Sequence, residues 1–563
     1  MGDTDRIKIL LVLLVGIFML FVLGLAPITV AGEHQDGAIN DSSGVEIDPE
    51  VQEVTGEQQV IIRLEPLADT HSSPTELQAH AERTQGSVLT QIDSIKGVTV
   101  ENRLWIVNGL VVTVDGDDVG IEQIARIDGV TAIHANPTLT LDYEIGDETG
   151  EVTPETHTGM PSFDTRSFAS TVSTDTSWAL DQIGAPDAWT EYGTKGGGVK
   201  VAVLDTGIEV EHDDLELYTE DASDPTYPGG WTVIDSFGAP KDDPGELFDN
   251  YGHGTATSGS VIAGDGGGQY QGVAPNADLL HANVGPSGSS SFSRIAGGIE
   301  WAIENNADVI SISWGSEGYD SRYIDPIRNA QNSGVSVAVS VGNSGDGTST
   351  SPGNDYDSIS VGASEIDRDI APFSSGERIV NGDTYGSSAP SDWPDAYTVP
   401  KVVAPGRSVE TTVPGNGYAI VDGTSFAAPN VAGAIALVIS ATDGNHTPEE
   451  IQQALVETAS HPDGDNAQDT RYGHGIIDVP AAIEYLKGDS EPEPSFSVTD
   501  ASLDTSTILE GESVTVSADV ENSGDADGTF TAELQEDGTT VATTDVTVAA
   551  GSKIGRASCR ERV

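Results

Sequence analysis

Three short motifs carry side chains that together could activate a nucleophile. Asp205 follows an apolar run, His253 lies between two glycines, and Ser425 precedes the long apolar segment Val431–Ile439. A serine hydroxyl is a weak nucleophile at neutral pH and needs a base to accept its proton. Histidine can be that base, while a carboxylate fixes the tautomer of the ring and stabilises the imidazolium. The residue types therefore predict a catalytic triad of Asp205, His253 and Ser425.

Each motif also has an ordinary structural explanation. Ser425 could be a plain helix N-cap, and a single histidine is more often a packing residue than a catalytic one. Asp205-Thr-Gly also occurs in aspartic proteases, but that dyad needs a second Asp-Thr/Ser-Gly to share its proton, and the sequence contains none. The combination of motifs favours the triad, together with Gly423, which leaves room for a ligand beside Ser425.

A fourth motif supplies a side-chain donor. Gly342-Asn343-Ser-Gly345 ends an apolar run, and an asparagine between glycines is common in turns. The same amide could instead point an N–H at the oxyanion that forms when a carbonyl group is attacked. Asn343 and the backbone N–H of Ser425 are therefore the predicted oxyanion donors.

The elements that must position these residues alternate between strands and helices from Trp178 to Lys487. Near-continuous apolar strands are predicted at Val199–Leu204, Leu279–Val284, Val309–Trp314, Val335–Val341 and Ile359–Val361. Helices are predicted at about 256–263, 290–305, 320–333, 425–441 and 447–459, with Pro429 in the first turn of the helix at Ser425. This alternation predicts an α/β fold, a doubly wound parallel sheet with helices on both faces and ligands at the carboxyl ends of its strands.

The segment 177–487 resembles the subtilisin family of serine proteases, the subtilases. The likeness is carried by Asp205-Thr-Gly, His253-Gly-Thr and Gly423-Thr-Ser425-Phe-Ala-Ala-Pro429, in the chain order of the subtilisin triad. The acidic composition narrows the resemblance to the halolysins, the secreted proteases of halophilic archaea. The resemblance implies a serine endopeptidase that hydrolyses the peptide bonds of proteins through an acyl-enzyme and needs no cofactor for catalysis.

The resemblance also implies a substrate-binding site. Ser313, Trp314 and Gly315 would form the strand that binds the peptide, and Ser340-Val341-Gly342 would form a wall of the primary pocket. The family usually has leucine where this chain has Trp314, and methionine where it has Phe426. A larger ring at position 314 is expected to reshape the neighbouring side-chain pockets, so no cleavage specificity is transferred.

Structural calcium is a further implication of the resemblance. Asp214 and the loop Gly264–Gln271, in which Asp265 is the carboxylate, stand where many subtilases bind the ion. Oxygen ligands suit calcium, which makes both aspartates candidate metal ligands. The alternative is a flexible glycine-rich loop without an ion.

The composition of the chain excludes nucleic acid as a partner and indicates a high-salt environment. The 563 residues include 24 basic and 91 acidic side chains, which gives a net charge of −67. Such an excess of carboxylates excludes nucleic acid as a natural partner. Molar salt shortens the screening length to about 3 Å and suppresses self-repulsion, so the composition indicates adaptation to high salt. The alternative is an acidic protein that binds cations or basic substrates. Cys559 is the only cysteine, so no disulfide framework is predicted.

The chain before the catalytic segment predicts a precursor. Residues 1–31 place basic residues before an apolar run, which predicts a secretory signal; an uncleaved membrane anchor is the alternative. Residues 48–143 predict the strand–helix–strand–strand–helix–strand order of a ferredoxin-like unit, with Leu104–Val107 as one strand. Residues 144–176 predict a cleavable linker. The resemblance implies that 48–143 is an inhibitory propeptide of a secreted, self-processed protease.

The chain after the catalytic segment predicts a partial β-sandwich. An acidic linker at 488–495 precedes four alternating strands, which are expected to begin an immunoglobulin-like domain truncated at residue 552: Phe496–Leu503, Ser513–Val520, Thr529–Leu534 and Thr540–Val548. Residues 553–563 resemble a translated sequencing adapter and are excluded from the fold prediction as an artefact. A second function therefore stays open, a surface-tethered protein whose sandwich contacts the cell surface and whose protease domain serves only assembly.

Overall fold

The structure is a computed structural model of the whole chain. It describes residues 9–12, 39–40, 44–141, 176–488 and 496–562, with gaps at 53, 68–72, 210–211, 220–228, 242–246, 443, 445, 465–466, 504–512, 523–527, 537–538 and 550–551. Most of the predicted leader and all of the predicted linkers except Thr176 and Gly488 lie outside these residues. The chain divides into two compact units, one comprising Gly32–Pro462 and Asn466–Leu486, the other Met1–Ala31, Asp463–Asp465 and Lys487–Val563.

A seven-stranded parallel sheet forms the centre of the larger unit, as the alternation of elements predicted. In spatial order its strands are Trp231–Val233, Asp278–Asn283, Lys200–Asp205, Val309–Ile312, Ser336–Ser340, Ile359–Ser364 and Val402–Pro405. The sequence did not reveal the first and last of these strands. The connection order changes direction between Lys200–Asp205 and Val309–Ile312, and such a switch point opens a crevice at the carboxyl ends of the strands.

Helices cover both faces of this sheet. They are Trp178–Gln182, Ala185–Tyr192, His253–Ile262, Phe292–Glu304, Ile324–Asn332, Thr424–Ala441, Pro448–Glu457 and Val479–Lys487. We call His253–Ile262 the histidine helix and Thr424–Ala441 the serine helix. The serine helix is long and apolar enough to cross a membrane, but 83% of its apolar window is buried inside the protein. It is therefore a core helix, which explains why it is apolar on every side.

Shorter elements complete the larger unit. Within the described part of 176–488, three antiparallel pairs lie outside the main sheet: Val409–Val413 with Gly417–Val421, Ser316–Glu317 with Thr350–Ser351, and Glu377–Val380 with Ala396–Val399. Single 3₁₀ turns occupy Pro49–Val51, Ser321–Tyr323 and Gly386–Ser388. The first pair, which we call the 409–421 hairpin, contacts the histidine helix through hydrogen bonds from Thr411 Oγ1 to Ala256 O and from Thr412 Oγ1 to Thr255 O, both 2.8 Å.

Residues 44–141, joined by the strand Ile39–Asn40, form an N-terminal module around a second, mostly antiparallel sheet. The order of its strands is Ile39–Asn40, Glu46–Ile47, Val130–Ala135, Glu57–Leu64, Gly109–Asp115 and Val98–Leu104, and its helices are Pro74–Ile92 and Ile121–Ala125. The strand predicted at Leu104–Val107 was misplaced. The chain turns at residues 105–108, where Asn108 has φ 41°, so this apolar stretch is the tip of a hairpin.

The smaller unit contains two three-stranded antiparallel sheets. One comprises Phe496–Leu503, Ser513–Asn522 and Ser552–Arg562; the other comprises Ile9–Val12, Gly528–Glu536 and Thr539–Val548. All four predicted strands are present here. The strand Ser552–Arg562 covers most of the segment 553–563 that the sequence indicated as an adapter artefact, and it pairs with Ser513–Asn522.

Candidate active site

A buried carboxylate–imidazole pair lies at the carboxyl edge of the main sheet. Asp205 is the last residue of its strand and His253 is the first residue of the histidine helix. His253 Nδ1 lies 2.7 Å from Asp205 Oδ1, and the two residues are 1% and 0% exposed. Asp205 also accepts hydrogen bonds from Thr206 N at 2.7 Å and from Thr257 Oγ1 at 3.1 Å. With Nδ1 donating to the carboxylate, the ring has the tautomer in which Nε2 accepts a proton.

Ser425 begins the neighbouring serine helix. It is the second residue of that helix, after Thr424, and the N-cap residue is Gly423, whose φ of 151° lies in the region that favours glycine. The ring of Phe426, the next residue, packs against the ring of His253 with centroids 5.5 Å apart. The structure therefore places all three predicted triad residues at one edge of the sheet.

The carbonyl group of Ser425 is held by the strand at the switch point. Pro429 is the sixth residue of the serine helix, so the prediction that it lies in the first turn is wrong. A proline here cannot donate to the carbonyl four residues earlier, that of Ser425. Ser313 Oγ donates to this carbonyl at 2.8 Å instead. Ser313, predicted as a substrate-binding residue, thus also fixes the backbone at Ser425.

Asn343 is joined to the start of the serine helix. Its Oδ1 accepts hydrogen bonds from Thr424 N and Thr424 Oγ1, both 2.9 Å. Because both partners are donors, the amide oxygen must face Thr424 and the NH₂ group must face the other way. Asn343 follows the strand Ser336–Ser340 through Gly342, whose φ is 114°. This orientation fits a side-chain donor beside Ser425.

The two predicted walls of the substrate site meet at Thr350. A Cβ at Gly315 would lie 2.6 Å from Thr350 Oγ1, and one at Gly342 would lie 2.8 Å from Thr350 Cγ2. Thr350 N also donates to Val341 O at 3.0 Å. Both glycines therefore permit a close approach that a side chain would prevent.

Trp314 packs in a core cluster to which the N-terminal module also contributes, through residues such as Leu139. Its side chain is fully buried in the core cluster on one face of the sheet, and a Cβ at Gly285 would overlap its ring. The sequence predicted that this ring would reshape the substrate pockets. Gly285 makes room for the ring, and its effect on the substrate pockets stays a prediction.

A strand from the N-terminal module lies along the catalytic unit. Thr138–Thr140 pairs antiparallel with Ser289–Ser291, and Leu139 is 1% exposed in the same core cluster as Trp314. The bound segment continues upstream, where Pro137 O accepts from Phe292 N at 3.2 Å. Sequence reasoning missed Ser289–Ser291, because three serines carry no strand signal on their own.

The residues around Asp214 do not fit a calcium site. Asp214 Oδ2 accepts a hydrogen bond from Tyr418 Oη at 2.6 Å, and Gly266 N donates to both carboxylate oxygens at 3.0 and 3.1 Å. The loop thus presents donors to the carboxylate, whereas calcium needs oxygen acceptors. Asp265 is exposed, and neither aspartate belongs to a cluster of three metal-ligating side chains among the described residues.

Comparisons with known proteins agree with the fold. The subtilase family model matches residues 196–475. Alkaline elastase YaB of Bacillus sp. (strain YaB) is 34% identical over 308 residues, which cover 54% of this chain and 69% of that protein. Subtilisin Savinase of Lederbergia lenta is 34% identical over 308 residues, covering 54% of this chain and 97% of that protein. Major intracellular serine protease of Bacillus subtilis (strain 168) is 33% identical over 283 residues, which cover 49% of this chain and 77% of that protein.

The parallel sheet and these relatives define a serine endopeptidase of the subtilisin type. The chain belongs to the subtilase family. The predictions of the family and of the enzyme class are confirmed. The relatives named here are bacterial, so the likeness to halolysins stays a prediction.

Proposed function

We propose that the protein is a secreted, halolysin-like serine endopeptidase that uses Asp205, His253 and Ser425 as its catalytic triad. The observation that carries this proposal is the buried pair of Asp205 Oδ1 and His253 Nδ1, 2.7 Å apart, beside the start of the helix that carries Ser425. Burial matters because an ion pair formed in a low-dielectric site is strong and poorly screened.

In the proposed mechanism, Ser425 Oγ attacks the carbonyl carbon of the scissile peptide bond and His253 Nε2 takes its proton. Asp205 stabilises the imidazolium that results. The amide of Asn343 and the backbone N–H of Ser425 donate to the oxyanion. The tetrahedral intermediate then expels the amine, which receives the proton from His253, and leaves an acyl-enzyme. Water, activated by the same imidazole, hydrolyses the ester and regenerates Ser425.

We also propose that the N-terminal module is an inhibitory propeptide. Its hairpin tip contacts the helix Phe292–Glu304, where Ile106 N donates to Glu300 Oε1 at 2.8 Å and Trp105 Nε1 donates to Glu304 Oε1 at 3.0 Å. Its strand Thr138–Thr140 lies against Ser289–Ser291 as an extended peptide would, through backbone hydrogen bonds. These contacts support a precursor that occupies its own substrate groove until the linker is cut.

Secretion and salt adaptation belong to the same proposal. They rest on the leader-like residues 1–31 and on the net charge of −67. The charge is spread along the chain, as expected for a protein that meets its substrates in molar salt.

The test is a Ser425→Ala variant of the full chain, expressed beside wild type and assayed in molar sodium chloride. Wild type should be processed to a shorter form, be labelled by a fluorophosphonate probe and cleave casein; Ser425→Ala should do none of these. Ser440→Ala is the matched control, since this serine lies near the other end of the same helix and bonds Gly197 O at 2.9 Å. Equal processing and cleavage by Ser425→Ala and wild type would refute the proposal.

A further inference from the structure

Asp249 lies four residues before His253, and both oxygens of its carboxylate accept several hydrogen bonds. Its Oδ1 accepts from Thr206 Oγ1 at 2.9 Å, Tyr251 N at 3.0 Å and Gly252 N at 2.8 Å. Its Oδ2 accepts from Thr255 N at 2.8 Å and Thr255 Oγ1 at 2.7 Å. One carboxylate thus ties together the turn before the histidine helix and the first turn of that helix.

These bonds replace the cap that the histidine helix lacks. Its N-cap residue, Gly252, has φ 77° and no side chain to accept from the first turn. The first N–H groups of a helix have no partner within the helix. Asp249 accepts from Gly252 N and Thr255 N, and Thr206 Oγ1 accepts from Gly254 N at 2.9 Å.

Thr206 connects this cap to the carboxylate of the proposed triad. It is fully buried, and its backbone N–H donates to Asp205 Oδ1 at 2.7 Å. Its hydroxyl donates to Asp249 while accepting from Gly254 N. A continuous chain of hydrogen bonds therefore runs from Asp205 through Thr206 and Asp249 to the residues on both sides of His253.

We propose that Asp249 and Thr206 are positioning residues that hold the imidazole of His253 against Asp205. This inference rests on the proposed triad. In this proposal Asp249 and Thr206 neither bind the substrate nor transfer a proton. They fix the end of the strand that carries Asp205 and the start of the helix that carries His253, so that these two side chains stay within hydrogen-bond distance. Burial raises the pKa of Asp249, and its hydrogen bonds to Thr255, Gly252 and Thr206 oppose this rise. The ionised form is the one that this array of donors suits.

Two substitutions test the proposal in the full-length precursor. Asp249→Asn turns one acceptor oxygen into an NH₂ group among donors. Thr206→Val removes the bridging hydroxyl at nearly constant volume, and Thr206→Ser keeps it. Asp478→Asn is the matched control, because Asp478 Oδ1 also caps a helix start, accepting from Ala481 N at 3.0 Å, on a helix that carries none of the predicted site residues.

The decisive measurement is turnover per active site counted by fluorophosphonate titration, so that loss of folded protein does not count as loss of catalysis. Where a variant matures slowly, affinity-tagged wild-type enzyme completes the cut and is then removed. Misplacement of a catalytic group by about 1 Å can cost roughly 100-fold. We expect Asp249→Asn and Thr206→Val to lower kcat roughly 10- to 100-fold with KM changed less than about threefold. Thr206→Ser and Asp478→Asn should keep most of the activity.

The pH profile of kcat/KM distinguishes a positioning role from a purely structural one, because loss of folded protein alone would not shift it. A weaker carboxylate–imidazole contact makes the imidazolium harder to form, so the acidic limb of kcat/KM should move to lower pH in Asp249→Asn and Thr206→Val. Normal turnover per site and an unmoved limb in Thr206→Val would overturn the inference, even if Asp249→Asn fails to fold. The proposed function fails separately, and only if wild type itself is not labelled or Ser425→Ala remains active.

Discussion

The amide of Asn343 is oriented by its neighbours for the oxyanion role proposed for it. Two donors from Thr424 hold its oxygen, so the direction of its NH₂ group is fixed before any substrate arrives. A donor that needs no reorganisation is worth most in the transition state, where charge develops on the substrate oxygen. The motif around Asn343 predicted a donor, whereas the contact that orients it could not be read from the sequence.

Replacing this amide should slow the chemistry and leave binding largely intact. We expect Asn343→Leu to lower kcat by about 10²–10³, equivalent to roughly 3–4 kcal/mol, with little change in KM. Initial rates on a chromogenic peptide, normalised to fluorophosphonate-labelled sites, measure both constants. Ser344→Ala is the control, because the Ser344 hydroxyl bonds Glu317 Oε1 at 3.1 Å instead. A rise in KM at constant kcat would contradict an oxyanion role.

The hydroxyl of Ser313 satisfies a carbonyl that Pro429 leaves without its helical donor. Leaving a buried acceptor unpaired costs about 1–3 kcal/mol, so Ser313→Ala should lower the free energy of unfolding by that amount. Ser311→Ala is a matched control in the preceding strand. No hydrogen-bond partner is found for the Ser311 hydroxyl among the described residues, and its removal should cost little. Denaturant titrations in a Ser425→Ala background avoid autolysis; equal losses in the two variants would refute this account.

At the scale of elements, the contact between the hairpin tip at 105–108 and the helix Phe292–Glu304 is built around a buried acid. Burial raises the pKa of Glu300 well above its usual value, although Ile106 N donates to the carboxyl group. A carboxyl whose pKa is higher in the folded than in the unfolded state stabilises the fold below its unfolded pKa. That stability is lost as pH rises through the folded value.

The unfolding free energy of the precursor should therefore depend on pH in a way that Glu300 causes. Relative to Glu300→Gln, the precursor with Glu300 should become less stable as pH rises above about 4.5, the unfolded value, because the unfolded chain then ionises while the buried carboxyl keeps its proton. The difference in unfolding free energy between the two proteins, both carrying Ser425→Ala, measures the effect. Below about pH 4.5 both side chains are neutral and the difference should level off, which serves as the internal control. A difference that does not vary with pH would refute the prediction.

Elements with strong local patterns were predictable, and elements that depend on distant partners were not. Apolar composition alone predicted the strand that ends at Asp205, the strand before Asn343 and the serine helix. The strand at Val402–Pro405 and the pairing of Ser289–Ser291 did not, since their burial or partners come from residues far along the chain. The motifs of the proposed triad indicated residue types, whereas the hydrogen bonds of Asp249 depend on how separate segments meet in the fold.

At the scale of the whole molecule, the net negative charge is expected to make the stability of the protein depend on salt concentration. With a net charge of −67, self-repulsion opposes the compact state in dilute buffer. We expect the half-life of caseinolytic activity to shorten as sodium chloride is diluted from molar levels to about 0.1 M, where the screening length is about 10 Å. Potassium chloride should substitute at equal ionic strength, and sucrose at equal osmolality should not. Lasting activity in low salt would contradict salt adaptation while leaving the triad untouched.

The donors around Asp214 lead to a different expectation about the surroundings in which the enzyme persists. Tyr418 and Gly266 donate hydrogen bonds to this carboxylate, at the position where the resemblance implied a calcium ion. Removing the Tyr418 hydroxyl should cost about 1.5–3 kcal/mol, the usual worth of a hydrogen bond to a charged group. Melting temperatures of wild type and Tyr418→Phe, each with and without EDTA, test this: the substitution should lower the melting temperature, and EDTA should not change the size of that loss. A loop held this way should keep its structure in brines where sulfate, citrate or phosphate scavenge divalent ions.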